Sequence, residues 1–130
     1  MIHVEDIEIA KSARNNSYSP YSKFKVGASL RCKDGKVYTG CNIENHGIQG
    51  ICAERTAFVK ALSEGEREFE SIIITGAPDG EEPTNSCMPC GYCRQFMSEF
   101  VDKGFIIGIY NNGKIDEYSI EDLLPNSFKI

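Results

Sequence analysis

The stretch Ile51-Cys52-Ala53-Glu54-Arg55-Thr56-Ala57 decides the reading of this chain. From Cys52 to Ser63, Ala53, Ala57, Phe58, Ala61 and Leu62 recur at helical spacing. The spacing predicts a helix whose first turn carries Cys52, Glu54 and Arg55. Its counterpart is Pro89-Cys90-Gly91-Tyr92-Cys93-Arg94-Gln95, which begins 38 positions after Cys52 if counted to Cys90. Pro89 suits a helix start, and Cys90 and Cys93, three apart, share one helix face. Three thiols at two helix starts can hold one ion, and soft thiolates select zinc or an iron–sulfur cluster. The iron–sulfur pattern needs a further cysteine and a proline after Cys93, and both are missing.

Three sulfurs leave the fourth corner of tetrahedral zinc for water, the arrangement of a catalytic site. They also surround the ion with excess negative charge, which works against activating that water. Positive helix ends and Arg55, which can hydrogen-bond a sulfur, oppose this. Glu54 is not needed as a ligand and is free to move protons, a service worth about 10²–10⁴-fold in rate. Other readings of the same cysteines exist. A lone C-x-x-C can be a redox pair. Cys87 extends the pair to Cys87-x-x-Cys90-x-x-Cys93, and with Cys52 it would close a four-thiolate structural site in a non-enzymatic zinc-binding module. A loop residue outside the metal site is the favoured assignment for Cys87.

Cys52-Ala53-Glu54-Arg55-Thr56-Ala57 followed by Pro89-Cys90-Gly91-Tyr92-Cys93-Arg94-Gln95 resembles the zinc-dependent nucleoside deaminases of the cytidine deaminase family. Zinc deaminases combine such a three-thiol site, a non-ligand Glu and a P-C-x-x-C element. The likeness extends from Tyr18 to Phe128 and includes Phe24-Lys25-Val26-Gly27, Asn42-Ile43-Glu44 and the ending Leu123-Leu124-Pro125-Asn126-Ser127-Phe128. It implies one zinc ion per subunit on Cys52, Cys90 and Cys93, with Glu54 as the catalytic acid–base. It implies sugar contacts from Asn42 and Glu44, a base pocket lined by Phe24, and Ala53 against the substrate. It also implies a homotetramer in which Phe128 reaches a neighbouring subunit's pocket. The segment His46-Gly47-Ile48-Gln49-Gly50 departs from the family pattern and is about one residue shorter. Deaminases of other aminopyrimidine nucleosides, such as blasticidin S, have similar motifs but usually lack the Glu of N-x-E, so cytidine or deoxycytidine is the preferred expectation.

Without the resemblance, Asn42 and Glu44 share a face at a strand end and read as loop caps as readily as ligand groups. Phe24 alone reads as a core aromatic, and His46 as a loop histidine.

At 130 residues a single domain, 1–130, is expected. With 41% hydrophobic and 25% charged residues the composition is that of an ordinary globular protein. A net charge of −5 with no basic run argues against nucleic acid as a partner. No apolar run reaches membrane-spanning length. The polar, acidic start Met1-Ile2-His3-Val4-Glu5-Asp6 is unlike a secretory leader, so the six cysteines are expected reduced in a cytoplasmic protein. Cys32 and Cys41 read as small core residues.

Outward from the thiols, periodicity predicts a helix over 4–15, with Ile7, Ala10, Ala13, Val4 and Ile9 towards the core. Strands are expected over 26–32 and 37–43, joined by the hairpin turn Lys33-Asp34-Gly35-Lys36. The apolar runs 71–77 and 105–110 read as buried strands. A helix from Cys90 to about Val101 should bury Phe96, Met97 and Phe100, and 115–120 should form an edge strand. A helical crossover between buried strands implies local parallel pairing, and the hairpin adds an antiparallel edge. The expected fold is a three-layer α/β/α sandwich around a mixed sheet of about five strands.

Overall fold

The apolar run at 71–77 becomes the spine of the sheet. Strand β3, Phe69–Pro78, is buried from Ser71 to Ala77 because it is flanked on both sides. It pairs antiparallel with β1, Phe24–Cys32, and parallel with β4, Ile106–Asn111. Strand β2, Val37–Cys41, closes one edge against β1, and β5, Lys114–Tyr118, closes the other against β4. The order is β2-β1-β3-β4-β5, the mixed five-stranded sheet expected. These features come from a computed structural model that describes residues 1–128.

The Asp34-Gly35 turn forms as read. Gly35 takes φ +95, a value that suits glycine, and the Asp34 side chain accepts from the Lys36 amide at 2.9 Å. A register shift between Arg31 and Cys32 bends the end of β1, a feature no local pattern announces.

Helix α1, Glu5–Ala13, covers one face of the sheet. It is shorter than the 4–15 reading, because Arg14–Asn16 tighten into a 3₁₀ turn. Val4 is exposed, and Ile7 and Ile9 are only half buried. Asp6 is the buried residue instead, 1% exposed, because Arg31 grips its carboxylate twice, at 2.7 and 2.8 Å. On the other face lie α2, Ala53–Ser63, α3, Gly91–Ser98, and α4, Ile120–Leu123. Their Phe58, Met97, Ile120 and Leu123 pack with Ala28, Leu30, Ile72, Ile74, Ile107 and Ile109 in one core. Helix α3 stops before Val101 because its last turn closes with i−3 bonds, from Glu99 to Phe96 and from Phe100 to Met97. Phe100 is therefore exposed, although its ring lies 5.1 Å from that of Phe96.

Two glycines set the distance between layers. A Cβ on Gly27 would fall 2.1 Å from the Ala10 carbonyl oxygen, so α1 rests on bare β1 backbone. A Cβ on Gly40 would fall 2.2 Å from the Ala53 carbonyl oxygen, so the first turn of α2 rests on β2 in the same way.

Candidate active site

The two short sequence motifs converge because each cysteine that opens a motif also opens a helix. Cys52 and Cys90 are the N-cap residues of α2 and α3, both in extended conformation. Their carbonyls take the first helical bonds, from Thr56 and Arg94, each at 3.0 Å. Neither thiol caps its own helix, so both sulfurs are free to face each other. Cys93 lies one turn into α3 and is buried. The Sγ atoms of Cys52, Cys90 and Cys93 all lie within 4.8 Å of one another, with Cys52 and Cys90 3.9 Å apart. Sulfurs on tetrahedral zinc, each about 2.3 Å from the ion, stand roughly 3.8 Å apart. The cluster suits zinc in donor type and in spacing.

The charges around it fit as well. A hydrogen bond from Cys93, another from Cys90, and the Arg55 guanidinium together pull the Cys52 thiol towards thiolate. Cys93 is correspondingly raised, by its bond to Cys52 and by burial. Arg55 Nε is buried beside these sulfurs with no hydrogen-bond partner, an orphaned donor that thiolate charge would satisfy. A second trio, Cys32, Asp34 and Glu66, also comes within 4.8 Å. There the Tyr38 hydroxyl and Lys36 already engage Glu66, and burial lifts the Cys32 thiol to about 12.

Above the cluster opens a cavity of ≈ 430 Å³ with Cys52, Glu54 and Cys90 in its lining. Glu54 is 4% exposed. Burial, with the Cys52 charge adding to it, lifts its carboxyl to about 7. A carboxyl poised near neutrality can both accept and return a proton. Ala53, Asn42 and Glu44 line the same cavity, as do Tyr21, Val26 and Met88, which the sequence reading did not single out.

Asn42 and Glu44 also serve the protein. The Asn42 amide accepts from the Val26 amide at 2.9 Å and from the Ser17 hydroxyl, and donates to the Phe24 carbonyl at 2.8 Å. Glu44 accepts from the Tyr21 and Ser22 amides and from the Ser22 hydroxyl. Both side chains thus act as loop caps, and both residues also line the cavity.

Phe24 is 37% exposed and borders a smaller cavity, with Thr84, Asn85 and Ser86. Its ring and the Cys87 sulfur converge over Gly76, each 2.9 Å from where a Cβ there would stand, and Cys87 lines the main cavity. Cys87 is absent from the thiol cluster yet lines the cavity. Burial and the charges of Glu54 and Cys52 push its thiol up to about 12. Phe128 is 63% exposed and lies outside the cavity, in an apolar groove with Tyr92 and Phe96. Among the described residues no helix is long and apolar enough to cross a membrane.

Comparisons with known proteins agree with this geometry. Residues 3–109 match the cytidine and deoxycytidylate deaminase zinc-binding region. A cytidine deaminase of Sporosarcina psychrophila is 45% identical over 121 residues, covering 92% of this chain and 85% of the relative. A blasticidin-S deaminase of Bacillus cereus is 32% identical over 130 residues, covering 95% of this chain and 92% of the relative. The crystal structure of cytidine deaminase from Burkholderia pseudomallei superposes with a TM-score of 0.88 at 44% identity, covering 98% of this chain and 100% of that one. Two thiol-bearing helix starts, a carboxyl buried between them and a match across most of the chain thus have one source: this chain belongs to the cytidine and deoxycytidylate deaminase zinc-binding family.

Proposed function

We propose that this chain, as a single domain, converts cytidine or deoxycytidine and water to uridine or deoxyuridine and ammonia. The observation that carries the reading is Glu54, buried beside three converging thiols in the lining of one cavity. Cys52, Cys90 and Cys93 would hold one zinc ion per subunit. When bound, zinc supplies a Lewis acid that lowers the pKa of a water in the open coordination position.

Glu54 takes one proton from the attacking water as its oxygen bonds to C4 of the ring, and passes that proton to N3. It then takes the second proton from the new C4 hydroxyl and gives it to the amine. The C4–N bond breaks, C4 becomes a carbonyl, and ammonia leaves. The low-dielectric surroundings that lift Glu54 let it carry both protons without crossing a large pKa gap. Asn42 and Glu44, held at the rim by their loop bonds, offer oxygens and an amide to the sugar hydroxyls. Ala53 contributes to the wall, and Phe24, which meets Cys87 over Gly76, supports the base end. Arg55 withdraws charge from the sulfurs.

The family supports a homotetramer in which Phe128 approaches a neighbouring subunit's cavity, and a cytoplasmic role in pyrimidine salvage. The test is conversion of cytidine followed by ultraviolet absorbance, with and without chelator. Turnover that the chelator abolishes and zinc restores is the expected result; no turnover of cytidine or deoxycytidine by zinc-loaded protein overturns it. The similarity to a blasticidin-S deaminase makes that nucleoside the comparison substrate. Glu44, present in this chain's N-x-E, favours cytidine over it.

A further inference from the structure

Tyr92 lies between the thiols Cys90 and Cys93 in sequence, yet it does not line the cavity above them. It is 67% exposed, on the outer side of the first turn of α3. Its face is nevertheless covered: the Arg55 Cζ stands 4.3 Å from the ring centroid. Arg55 comes from the other helix, α2. Its guanidinium has the sulfurs of Cys52 and Cys93 as neighbours and reaches the Gly50 carbonyl through Nη2 at 3.4 Å. That last bond is long, at the outer limit for a hydrogen bond, and cannot by itself fix a side chain with so many rotamers.

We propose that Tyr92 is a positioning residue that acts through Arg55. The ring face presents negative charge density to the guanidinium and excludes its outward rotamers, so the planar cation is kept against the sulfurs. In that position Arg55 draws charge out of the thiolates, which leaves zinc the stronger Lewis acid. The contact also ties α3 to α2 at the metal end, where a small residue at position 92 would leave Arg55 free to swing to solvent. The proposal rests on the zinc reading above and adds to it a residue that touches neither ion nor substrate.

The test compares Tyr92→Leu, Tyr92→Ala and Tyr92→Phe in full-length protein loaded with zinc for kinetics and with cobalt(II) for spectroscopy. Contacts of this kind correspond to roughly 2- to 30-fold between exposed and desolvated settings, and with Arg55 half buried we expect about 3- to 10-fold. The Leu and Ala variants should lose that much kcat with KM within about twofold. Their sulfur-to-cobalt charge-transfer band should move to longer wavelength, since thiolates relieved of a cation donate more readily. Tyr92→Phe should restore both. In an Arg55→Gln background, Tyr92→Leu should no longer move the band. An unmoved band in metal-loaded Leu and Ala variants overturns the proposal while leaving deamination standing. So does a shift that persists without Arg55, or failure of Phe to restore it. Metal-loaded protein inactive on cytidine would instead sink the functional reading, and the cobalt band would still decide the role of Tyr92. Protein that binds neither metal overturns both.

Discussion

The Glu44 carboxylate accepts the backbone N–H of Tyr21 at 2.9 Å. With the Ser22 bonds, this one side chain pins the loop before β1 to the strand end that faces the cavity. Removing it should loosen the rim and withdraw a sugar contact together. For Glu44→Ala we expect kcat/KM for cytidine to fall about tenfold or more, mostly through KM, since a charge-assisted hydrogen bond to the sugar is lost. Faster amide exchange at Tyr21 and Ser22 should accompany the kinetic change.

That clamp has a defined pH dependence. The Ser22 hydroxyl, then the Ser22 and Tyr21 amides, hold the Glu44 carboxyl below its ordinary value. A group whose folded pKa is depressed contributes above its unfolded value, and the contribution disappears as pH falls through the folded one. The Tyr21 and Ser22 amide resonances should therefore be constant at neutral pH and shift only under acid conditions. In Glu44→Ala that transition should be missing.

Glu54→Gln separates chemistry from metal binding. The thiol cluster does not include Glu54, so zinc content should be unchanged while kcat falls at least ~10²-fold. Turnover at the wild-type rate would remove Glu54 from the proton-carrying role.

Cys87 and Cys90 should behave oppositely. Cys87→Ser is expected to retain zinc, because its sulfur lies outside the cluster, and to change KM through the cavity wall. Cys90→Ser should lose most of its zinc and its activity, with a lower Tm, since an ion bound only by the folded state stabilises it. Metal analysis and thermal melts on the two variants distinguish the three-thiol site from a four-thiol one.

The motifs were legible in the sequence for a simple reason. Cys52, Glu54, Cys90 and Cys93 depend on local spacing, and helix starts convert spacing directly into position. The Asp34-Gly35 turn and the apolar run 71–77 are local signals of the same kind. What escaped notice depends on partners far along the chain. Nothing local marks Asp6, in the polar, acidic start of the chain, as a buried residue; Arg31, 25 residues on, grips it. Phe24 alone reads as a core aromatic until its ring is seen to meet the Cys87 sulfur over Gly76, partners more than 50 residues away. Arg55 and Tyr92 come from different helices, and no periodicity relates them.

Gly40 offers a direct test of the close contact between layers. Even an alanine there would drive a methyl into the first turn of α2. Overpacking usually costs about 1–3 kcal/mol, and this contact is with backbone, which yields poorly. For Gly40→Ala we expect a loss near the upper end in denaturant melts. The helix that moves carries Cys52 and Glu54, so zinc content and kcat should fall together.

Arg14 gives the chain one more property. Its guanidinium donates to the carbonyls of Lys25, Ala77, Pro78 and Glu81, fastening the connection just after β3. At the far end of that connection Arg94 holds the Pro89 carbonyl at 2.8 Å, next to Cys90. Between these two rivets the exposed stretch Thr84-Asn85-Ser86 is held from both ends, while Cys87 and Met88 after it line the cavity. A peptide tag or a reporter spliced among Thr84, Asn85 and Ser86, all solvent-facing, could be carried there without dragging the metal-binding turn out of register.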